Sequence, residues 1–467
     1  MDRTQPAPTA APASGALPAR ATMSKQAKRA THAAFFGFGV DYFDIYLPVV
    51  ALAPAIHFFQ PKGIPPTVET TIFYLTFAAT LLGRPVGSII FGGISDRVGR
   101  RNATLIAVAG FTVSTFLMAA LPGYAQWGYG GIICLLLLRF IGGIFMGGEY
   151  TSANPLALEA CPAPRRGIVG AYIGGAYPIG YIAISAVTLP LLSFLPGGSA
   201  GSAYQEWGWR VPFLVGGLLG VAFFLFFYRS IDESEAWKAE AAKEATATDS
   251  AQEKKTPLRA LWRDRVVRRR LLQMMLLMTG LWFAVQSVIS PVSGLLITYL
   301  KQDAGAVTTA LLLSNVALFL GYLTFGHLGQ RYGRRRLLII SGIGTVVVSV
   351  LGFLAMLMIL QNGGNFTLAM VLYTVSLVVS ISPFGIATVY LIEAFPTRMR
   401  ASGYGVAYSV SLVIPSFYSF YMLGLSSFMP YIYTPLVLIA IGGVLTTLGA
   451  KIGPETRDAS LTEVVAA

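Results

Sequence analysis

Residues 83–101 read GRPVGSIIFGGISDRVGRR, an apolar run that ends in a turn carrying one acid and three arginines. The turn returns 234 residues later, because FGGISDRVGRR at 91–101 becomes FGHLGQRYGRR at 325–335. Gln330 stands in the place of Asp96, while the phenylalanine, two glycines and all three arginines recur. Positively charged turns between apolar runs are typical of the short loops that join membrane-spanning helices.

A second segment is repeated with the same spacing. EACPAPRR at 159–166 returns as EAFPTRMR at 393–400. Two separate motifs at one offset indicate that the chain contains a duplicated half. Internal duplication in a membrane protein is typical of a transporter whose site lies between the two halves.

The composition agrees with a membrane protein. Of the 467 residues, 55% are hydrophobic and 12% are charged, and mean hydropathy is +0.64. Soluble domains carry about 25% charged residues. The net charge of +13 does not indicate nucleic-acid binding, because the basic residues lie between apolar runs and not on one soluble face. Cys134 and Cys161 fall in or beside apolar runs, so small core residues are expected there and no disulfide or metal site.

Apolar runs of roughly 20 residues, the length that crosses a bilayer, occur twelve times. They are predicted at 33–54, 70–94, 103–121, 129–151, 168–190, 209–229, 271–299, 308–328, 336–358, 367–391, 401–424 and 431–450. The sequence therefore predicts an all-α membrane protein. Its segments are a disordered cytoplasmic tail at 1–32, six-helix bundles at 33–229 and 271–450, a partly helical cytoplasmic linker at 230–270, and a cytoplasmic tail at 451–467.

The basic residues predict the orientation. With the N-terminus inside, the inner segments hold 29 of the 34 lysines and arginines, and the outer segments hold only Lys62, Arg210 and Lys301. Arg84 and Arg139 remain within spans. Cytoplasmic loops carry the excess of basic residues in membrane proteins. Both termini are therefore expected in the cytoplasm, in a multi-pass protein of the inner (plasma) membrane.

The twelve-span layout and the turn at 96–101 resemble the major facilitator superfamily. The segments RPVGSIIFGGISDR at 84–97, RFIGG at 139–143 and GGE at 147–149 resemble its metabolite:proton symporter families. The first helix departs from them, since DYFD at 41–44 looks more like phosphate and nicotinate carriers. The resemblance implies two pseudo-symmetric six-helix bundles with the transport site between them.

The charged turns are predicted to form a gate. The resemblance implies that ion pairs on the inner face form when the cavity opens outward and break when it opens inward. The alternative is that the positive turns only anchor the topology. The candidate gating residues are Asp96, Arg97, Arg100, Arg101, Glu159, Arg331, Arg335, Glu393 and Arg400.

Charges inside spans are functional candidates, because a charge near the bilayer centre costs several kcal/mol. The candidates for proton coupling are Asp41, Asp44 and Glu149, with Glu149 alternatively the partner of an inner arginine. The candidates for substrate binding are Arg84, Arg139, Tyr177, Gln286, Asn315, Tyr404 and Tyr408. One alternative is a static salt bridge that holds helices 1, 2 and 4 together. For the tyrosines, the alternative is a role in packing or as interfacial anchors. The resemblance implies that Asp44 and Arg139 form the coupling pair.

These features predict a proton-coupled secondary transporter that imports a small carboxylate-type organic anion by alternating access. A proton-antiporting exporter and a transporter-like sensor that signals through 230–270 remain alternatives. No nucleotide-binding motif, nucleophile motif or metal-ligand spacing occurs, so no enzymatic activity, metal or cofactor is expected and the proton gradient would supply the energy. The expected partners are the anion, protons and membrane lipids, with no nucleic acid, and the chain is expected to act as a monomer.

Asp44→Asn is expected to abolish accumulation driven by a pH gradient while retaining some exchange, because the proton site is lost and the substrate path is kept. Uptake and counterflow in proteoliposomes measure the two activities separately. Undiminished uphill uptake by this variant would remove Asp44 from the coupling site.

Overall fold

The computed structural model describes residues 23–61, 63–64, 66–195, 201–246 and 261–457. Within these ranges, twelve helices are long and apolar enough to cross a membrane. They are α1 (Lys25–Leu52), α2 (Leu75–Val98), α3 (Arg100–Ala119), α4 (Tyr129–Glu159), α5 (Ala163–Phe194), α6 (Tyr204–Ser230), α7 (Arg265–Gly294), α8 (Ala306–Tyr332), α9 (Arg334–Gln361), α10 (Phe366–Glu393), α11 (Arg400–Leu425) and α12 (Tyr431–Ile452). The predicted fold class and number of spans are confirmed.

Several helices extend past the predicted spans into polar sequence. α1 begins at Lys25, where Ser24 caps it by accepting a hydrogen bond from the Ala27 N–H. The last part of the predicted 1–32 tail is therefore helix, and residues 1–22 lie outside the described ranges. α7 begins at Arg265 and not at 271, because Asp264 caps its first turn. A hydropathy-based span ends where polar residues begin, whereas a capped helix continues through them.

The structure describes part of the linker and part of the C-terminal segment. A helix covers Glu235–Thr246 in the linker, as the sequence predicts, and residues 247–260 lie outside the described part. α12 ends at Ile452, inside the predicted 451–467 tail. The residues that follow it, described as far as 457, contact the start of α9 and the end of α10. Residues 458–467 are not described.

The helices pack as two sets of six. In the first set, α1 contacts α4, α5 and α6, and in the second, α7 contacts α10, α11 and α12. The two sets meet along equivalent seams, with α2 packed against α11 and α5 packed against α8 and α10. These seams place α1, α2 and α5 opposite α7, α8 and α11, which is where a site shared by both halves would lie.

The repeated turns have one backbone geometry. Gly99 joins α2 to α3 with φ of 100°, and Gly333 joins α8 to α9 with φ of 98°. A residue with a Cβ atom is strained at such a positive φ, so glycine suits both positions. Both turns lie on the same side of the bundle, which we name the basic face because the arginines of both motifs are there.

α2 and α4 form the most extensive helix contact in the first half. A Cβ on Gly87 would collide with the backbone of Ile144, and one on Gly143 would collide with the Thr80 carbonyl. Small residues at such a seam let two helix backbones approach directly. The seam fixes α2, which carries Arg84, against α4, which carries Arg139 and Glu149.

Gly143→Ala is expected to destabilise the protein by roughly 1–3 kcal/mol, because the added methyl group forces α2 and α4 apart. Gly93→Ala is the matched control, since a Cβ on Gly93 of α2 has open space around it. That change is expected to be neutral or slightly stabilising, because alanine favours a helix by about 1 kcal/mol over glycine. Thermal unfolding of detergent-purified protein measures both, and equal melting temperatures would contradict the tight seam.

Candidate functional site

A cavity of about 280 Å³ lies between the two sets of helices. The first half contributes side chains from α1, α2 and α5, and the second half from α7, α8, α10 and α11. Its aromatic and polar lining consists of Tyr42, Tyr46, Phe77, Arg84, Tyr177, Tyr181, Trp282, Gln286, Ser290, Ser293, Asn315, Tyr373 and Tyr418. The cavity extends along α7 as far as Gly294, at the end remote from the basic face.

The structure divides the predicted substrate residues into two groups. Those that line the cavity are Arg84, Tyr177, Gln286 and Asn315. Those that are buried outside its lining are Arg139, Tyr404 and Tyr408. Arg84 is thus the one charged side chain among the described lining residues.

Arg84 is buried without a counter-ion bound to it. Its side chain is 1% exposed, and its Nε and Nη2 groups have no hydrogen-bond acceptor in the described part of the chain. The guanidinium instead faces two tyrosine rings, with its central carbon 4.7 Å from the Tyr150 centroid and 5.7 Å from that of Tyr42. Cation–π contacts stabilise a buried guanidinium but leave its N–H donors free for an acceptor.

Two carboxyl groups lie together beside Arg84. Asp41 of α1 and Glu149 of α4 are both buried, and their side chains are within hydrogen-bonding reach of each other. Among the described residues, no protein group donates a hydrogen bond to any of their four oxygens. A hydrogen bond between the two groups therefore requires a proton on one of them. Arg84 acts electrostatically on both.

Asp44 and Arg139 form a separate ion pair. Arg139 Nη1 lies 2.9 Å from Asp44 Oδ2 and also donates to the Asp44 carbonyl, while Nη2 donates to the carbonyl of Ile45. The Thr115 hydroxyl donates to Asp44 Oδ1 at 2.7 Å. The predicted set of two acids and two arginines is therefore split, because Asp41 belongs with Glu149 and Arg84. Glu149 lies beside a carboxyl group and not beside an arginine of the inner face.

A layer of tyrosines separates the cavity from the basic face. Tyr150 hydrogen-bonds Ser409, and Asn154 Nδ2 donates to the Tyr404 hydroxyl at 2.9 Å, so α4 is joined to α11. The Tyr42 and Tyr408 hydroxyls lie 3.5 Å apart, which joins α1 to α11. Tyr404 and Tyr408 thus connect the two halves between the cavity and the basic face.

The first arginine turn closes the basic face across the two halves. Arg100 pairs with Asp96 at 3.0 Å and lies 3.6 Å from Glu159, and Arg400 of α11 reaches the same Glu159 oxygen at 2.8 Å. The Ser402 backbone N–H and hydroxyl both donate to Asp96. These contacts tie α2 and α4 to the start of α11.

The second turn repeats this arrangement with one substitution. Arg334 contacts Glu393 at 3.2 Å, and Arg166 of α5 lies 4.0 Å from the same carboxylate. Gln330, in the place of Asp96, accepts a hydrogen bond from the Gly167 N–H at the start of α5. The pairing is therefore duplicated, although its second copy is looser. Arg334 and Arg166 are missing from the predicted gate, and the 234-residue offset would have identified both from Arg100 and Arg400.

The arginines of the turns have different roles. The sequence groups Arg97 and Arg331 with the gate, whereas both are exposed and neither forms an ion pair within the described ranges. Arg101 donates to the Ile231 carbonyl, and Arg335 donates to the Lys451 carbonyl. Arg100 therefore forms its ion pairs within its own half, Arg400 forms the pair with Glu159 across the halves, and Arg101 and Arg335 attach the ends of α6 and α12.

Two acids cap the helices after the turns. Glu233 accepts from the N–H groups of Arg100 and Arg101 at the start of α3, and Glu455 does the same for Arg334 and Arg335 at the start of α9. An acid there satisfies free N–H groups and the helix dipole.

The neighbouring hydroxyls complete the motif. Ser234 hydrogen-bonds Glu159, and Thr456 donates to Glu393 at 2.7 Å. The sequence signal is Glu-Ser at 233–234 and Glu-Thr at 455–456, each just after the sixth helix of its half. Their spacing of 222 residues differs from 234, so a search at one offset misses them.

Comparison with known proteins gives one family. A family model described as Major Facilitator Superfamily matches residues 34–419. The inner membrane metabolite transport protein YhjE of Escherichia coli is 28% identical over 92% of this chain and 94% of its own length. The alpha-ketoglutarate permease of Escherichia coli is 28% identical over 80% of this chain and 82% of its own.

A solved structure shares the fold. The proton:xylose symporter XylE bound to 6-bromo-6-deoxy-D-glucose superposes with a TM-score of 0.75, covering 94% of this chain and 98% of that one at 18% identity.

Glu159→Gln is expected to open the basic face, because it weakens the Arg400 contact that joins the halves and the Arg100 contact beside it. Hydrogen bonds to charged groups contribute roughly 1.5–3 kcal/mol each, so the population of the open state should rise about tenfold or more. A reporter Ser152→Cys, in a background with Cys134 and Cys161 replaced by alanine, can be labelled by an impermeant maleimide from the basic face. Arg97→Ala is the control on the same turn and is expected to label like the parent. Equal labelling in all three would reduce Glu159 to a topology anchor.

Proposed function

This chain belongs to the Major Facilitator Superfamily as a secondary transporter and not an enzyme, and we propose that it imports a small organic anion together with protons by alternating access. The observation that carries the proposal is Arg84. Its guanidinium lines the cavity between the halves with free N–H donors and is the one charge in the described lining. A carboxylate is the acceptor that matches a guanidinium in geometry and charge.

The neighbouring carboxyl pair supplies the coupling. If Asp41 and Glu149 share one proton, the pair carries one negative charge and Arg84 balances it. An incoming carboxylate leaves the buried cluster with a net negative charge, which is unfavourable in a low dielectric. A second proton on the pair restores neutrality, so anion binding and proton binding favour each other. This reciprocity is a coupling free energy, and it makes the transporter a symporter.

Asp44 and Arg139 form the second candidate for coupling. Protonation of Asp44 would weaken its 2.9 Å contact with Arg139 and free that guanidinium. The pair is supported by Thr115 and by two backbone carbonyls, so most of its hydrogen-bonding capacity is already used. We therefore assign the substrate to Arg84 and keep Asp44 as a proton site that acts through helix contacts between α1, α3 and α4.

Alternating access follows from the two closed layers. The ion pairs of Glu159 and Glu393 and the tyrosine layer close the basic face, while the cavity extends toward the other end of α7. The distribution of basic residues supports a cytoplasmic basic face, with both termini inside. The described state then accepts substrate from outside, and the gate must break for release.

The relatives support the substrate class in part. The E. coli permease is named for alpha-ketoglutarate, an organic anion, and the solved neighbour is described as a proton symporter. A proton-antiporting exporter would use the same residues with the proton and the anion competing for the cluster. A sensor would bind the anion without moving it. Flux measurements separate all three.

Arg84→Gln is expected to abolish uptake of labelled carboxylates into proteoliposomes under an outside-acid pH gradient, because the one cation among the described lining residues is lost. Arg229→Gln, which removes an exposed arginine at the end of α6, is the matched control and should transport normally. Glu149→Gln should retain exchange and lose accumulation. Competition in which neutral sugars or quaternary amines displace a bound label, while mono- and dicarboxylates do not, would contradict the organic-anion assignment. Uptake driven only by an inside-acid gradient would favour the exporter.

A further inference from the structure

The fully buried side-chain atoms of the cavity lining that lack a partner are donors. Among its described lining residues, three buried side-chain atoms lack a hydrogen-bond partner, and they are Arg84 Nε, Arg84 Nη2 and Gln286 Nε2. Arg84 belongs to α2 in the first half, and Gln286 belongs to α7 in the second half. A buried donor without a partner costs about 1–3 kcal/mol. The best occupant therefore presents an acceptor to each half.

Gln286 is oriented by its own helix. The Ser290 hydroxyl, one turn later, donates to Gln286 Oε1 at 3.2 Å. The carbonyl end of the amide is thus satisfied, and the side chain is 4% exposed. Only its N–H₂ end remains to meet a ligand. A quaternary ammonium has no acceptor atom and cannot satisfy that donor, whereas a hydroxyl or carbonyl oxygen can.

The charge of the lining limits the ligand to one carboxylate. Apart from Arg84, the described lining residues are uncharged. The second carboxylate of a dicarboxylate would meet amide and hydroxyl groups without a cation. An unpaired charge in a buried site is strongly unfavourable. The anionic end therefore belongs at Arg84, and the end at Gln286 is neutral.

Between these two ends the walls are aromatic. Tyr46 and Tyr181 meet edge to face with centroids 5.0 Å apart, and Tyr177 joins them through a hydrogen bond from the Tyr46 hydroxyl. Trp282 and Tyr373 line the cavity from the second half. Aromatic side chains pack well on flat rings, in stacked or edge-to-face geometry. At about 280 Å³, the cavity is near the lower limit of roughly 300–1,000 Å³ for ligand pockets, which favours a compact ligand.

We infer that the substrate is a ring-bearing monocarboxylate whose ring carries a hydroxyl group. Its carboxylate binds Arg84, its ring lies between the aromatic walls, and its hydroxyl oxygen accepts from Gln286 Nε2. The inference rests on the proposed function, since it names the class of anion that the same site transports. The ligand touches both halves at once, so its binding stabilises their approach around the cavity.

The test uses benzoate, 3-hydroxybenzoate and 4-hydroxybenzoate as probes, with 2-oxoglutarate and glycine betaine as comparators. Binding to the purified full-length protein is measured by calorimetry. At least one hydroxybenzoate is expected to bind about tenfold more tightly than benzoate, and both comparators should bind more weakly than benzoate. In Gln286→Met the ratio of hydroxybenzoate affinity to benzoate affinity should fall to about one, because the contact specific to the hydroxyl is lost. Gln361→Met, at the end of α9 and outside the cavity, should keep the preference.

The outcomes separate this inference from the proposed function. Tighter binding of 2-oxoglutarate than of any benzoate would overturn the ring-bearing class and leave organic-anion transport standing. Tighter binding of betaine, unaffected by Arg84→Gln, would overturn both. A hydroxyl preference that survives in a folded Gln286→Met protein would overturn the role of Gln286. The ligand series on the unmodified protein decides the class even if that variant does not fold.

Discussion

A guanidinium buried between two helix bundles without an anion bound to it constrains the whole first half of this transporter. Arg84 retains its charge under all ordinary conditions, so its surroundings must offset the cost of removing it from water. Two tyrosine rings and a nearby carboxyl pair do this incompletely. What is missing is a direct carboxylate contact with the guanidinium. In the proposed mechanism, the free N–H groups of Arg84 are the recognition element, and the acids beside it set how many protons accompany an anion.

The ion-pair network on the basic face is duplicated, and its two copies differ in the closeness of their contacts. Glu159 holds Arg100 of its own half and Arg400 of the other, at 3.6 and 2.8 Å. Glu393 holds Arg334 at 3.2 Å, but Arg166 of the opposite half only at 4.0 Å. With Gln330 replacing Asp96, the second copy also lacks one carboxylate. The closed state therefore depends more on the contacts around Glu159, and opening is expected to begin at the looser copy.

The sequence predicts the spans well, and it also identifies two acids that form ion pairs on the basic face, because both features depend on local sequence. Apolar length defines a span, and a repeat at one offset identifies Glu159 and Glu393. The contact between Asp44 and Arg139 agrees with the family resemblance, but residue spacing alone does not separate Asp41 and Arg84 from that pair. Asp41 and Asp44 are three residues apart on one helix, yet Asp44 meets Arg139 and Thr115 while Asp41 meets Glu149. The rotation of α1 about its own axis relative to α3 and α4 decides which acid meets which partner. Residue spacing alone does not predict that rotation. Glu233 and Glu455 escape detection because α11 and α12 are shorter than α5 and α6, which shifts Glu455 out of the common offset.

The glycine seam between α2 and α4 has a consequence for how energy passes from protons to substrate. The backbones of these helices touch at Gly87 and Gly143, so Arg84 and Glu149 are carried on one block that cannot shear internally. If the halves rock as proposed, the distance between Arg84 and Glu149 stays nearly constant. What changes is the side of the membrane from which water reaches these two residues. In the proposed mechanism, one rigid helix pair therefore carries both the anion-binding and the proton-binding residue. Alternating access exposes this pair in turn to the two sides of the membrane.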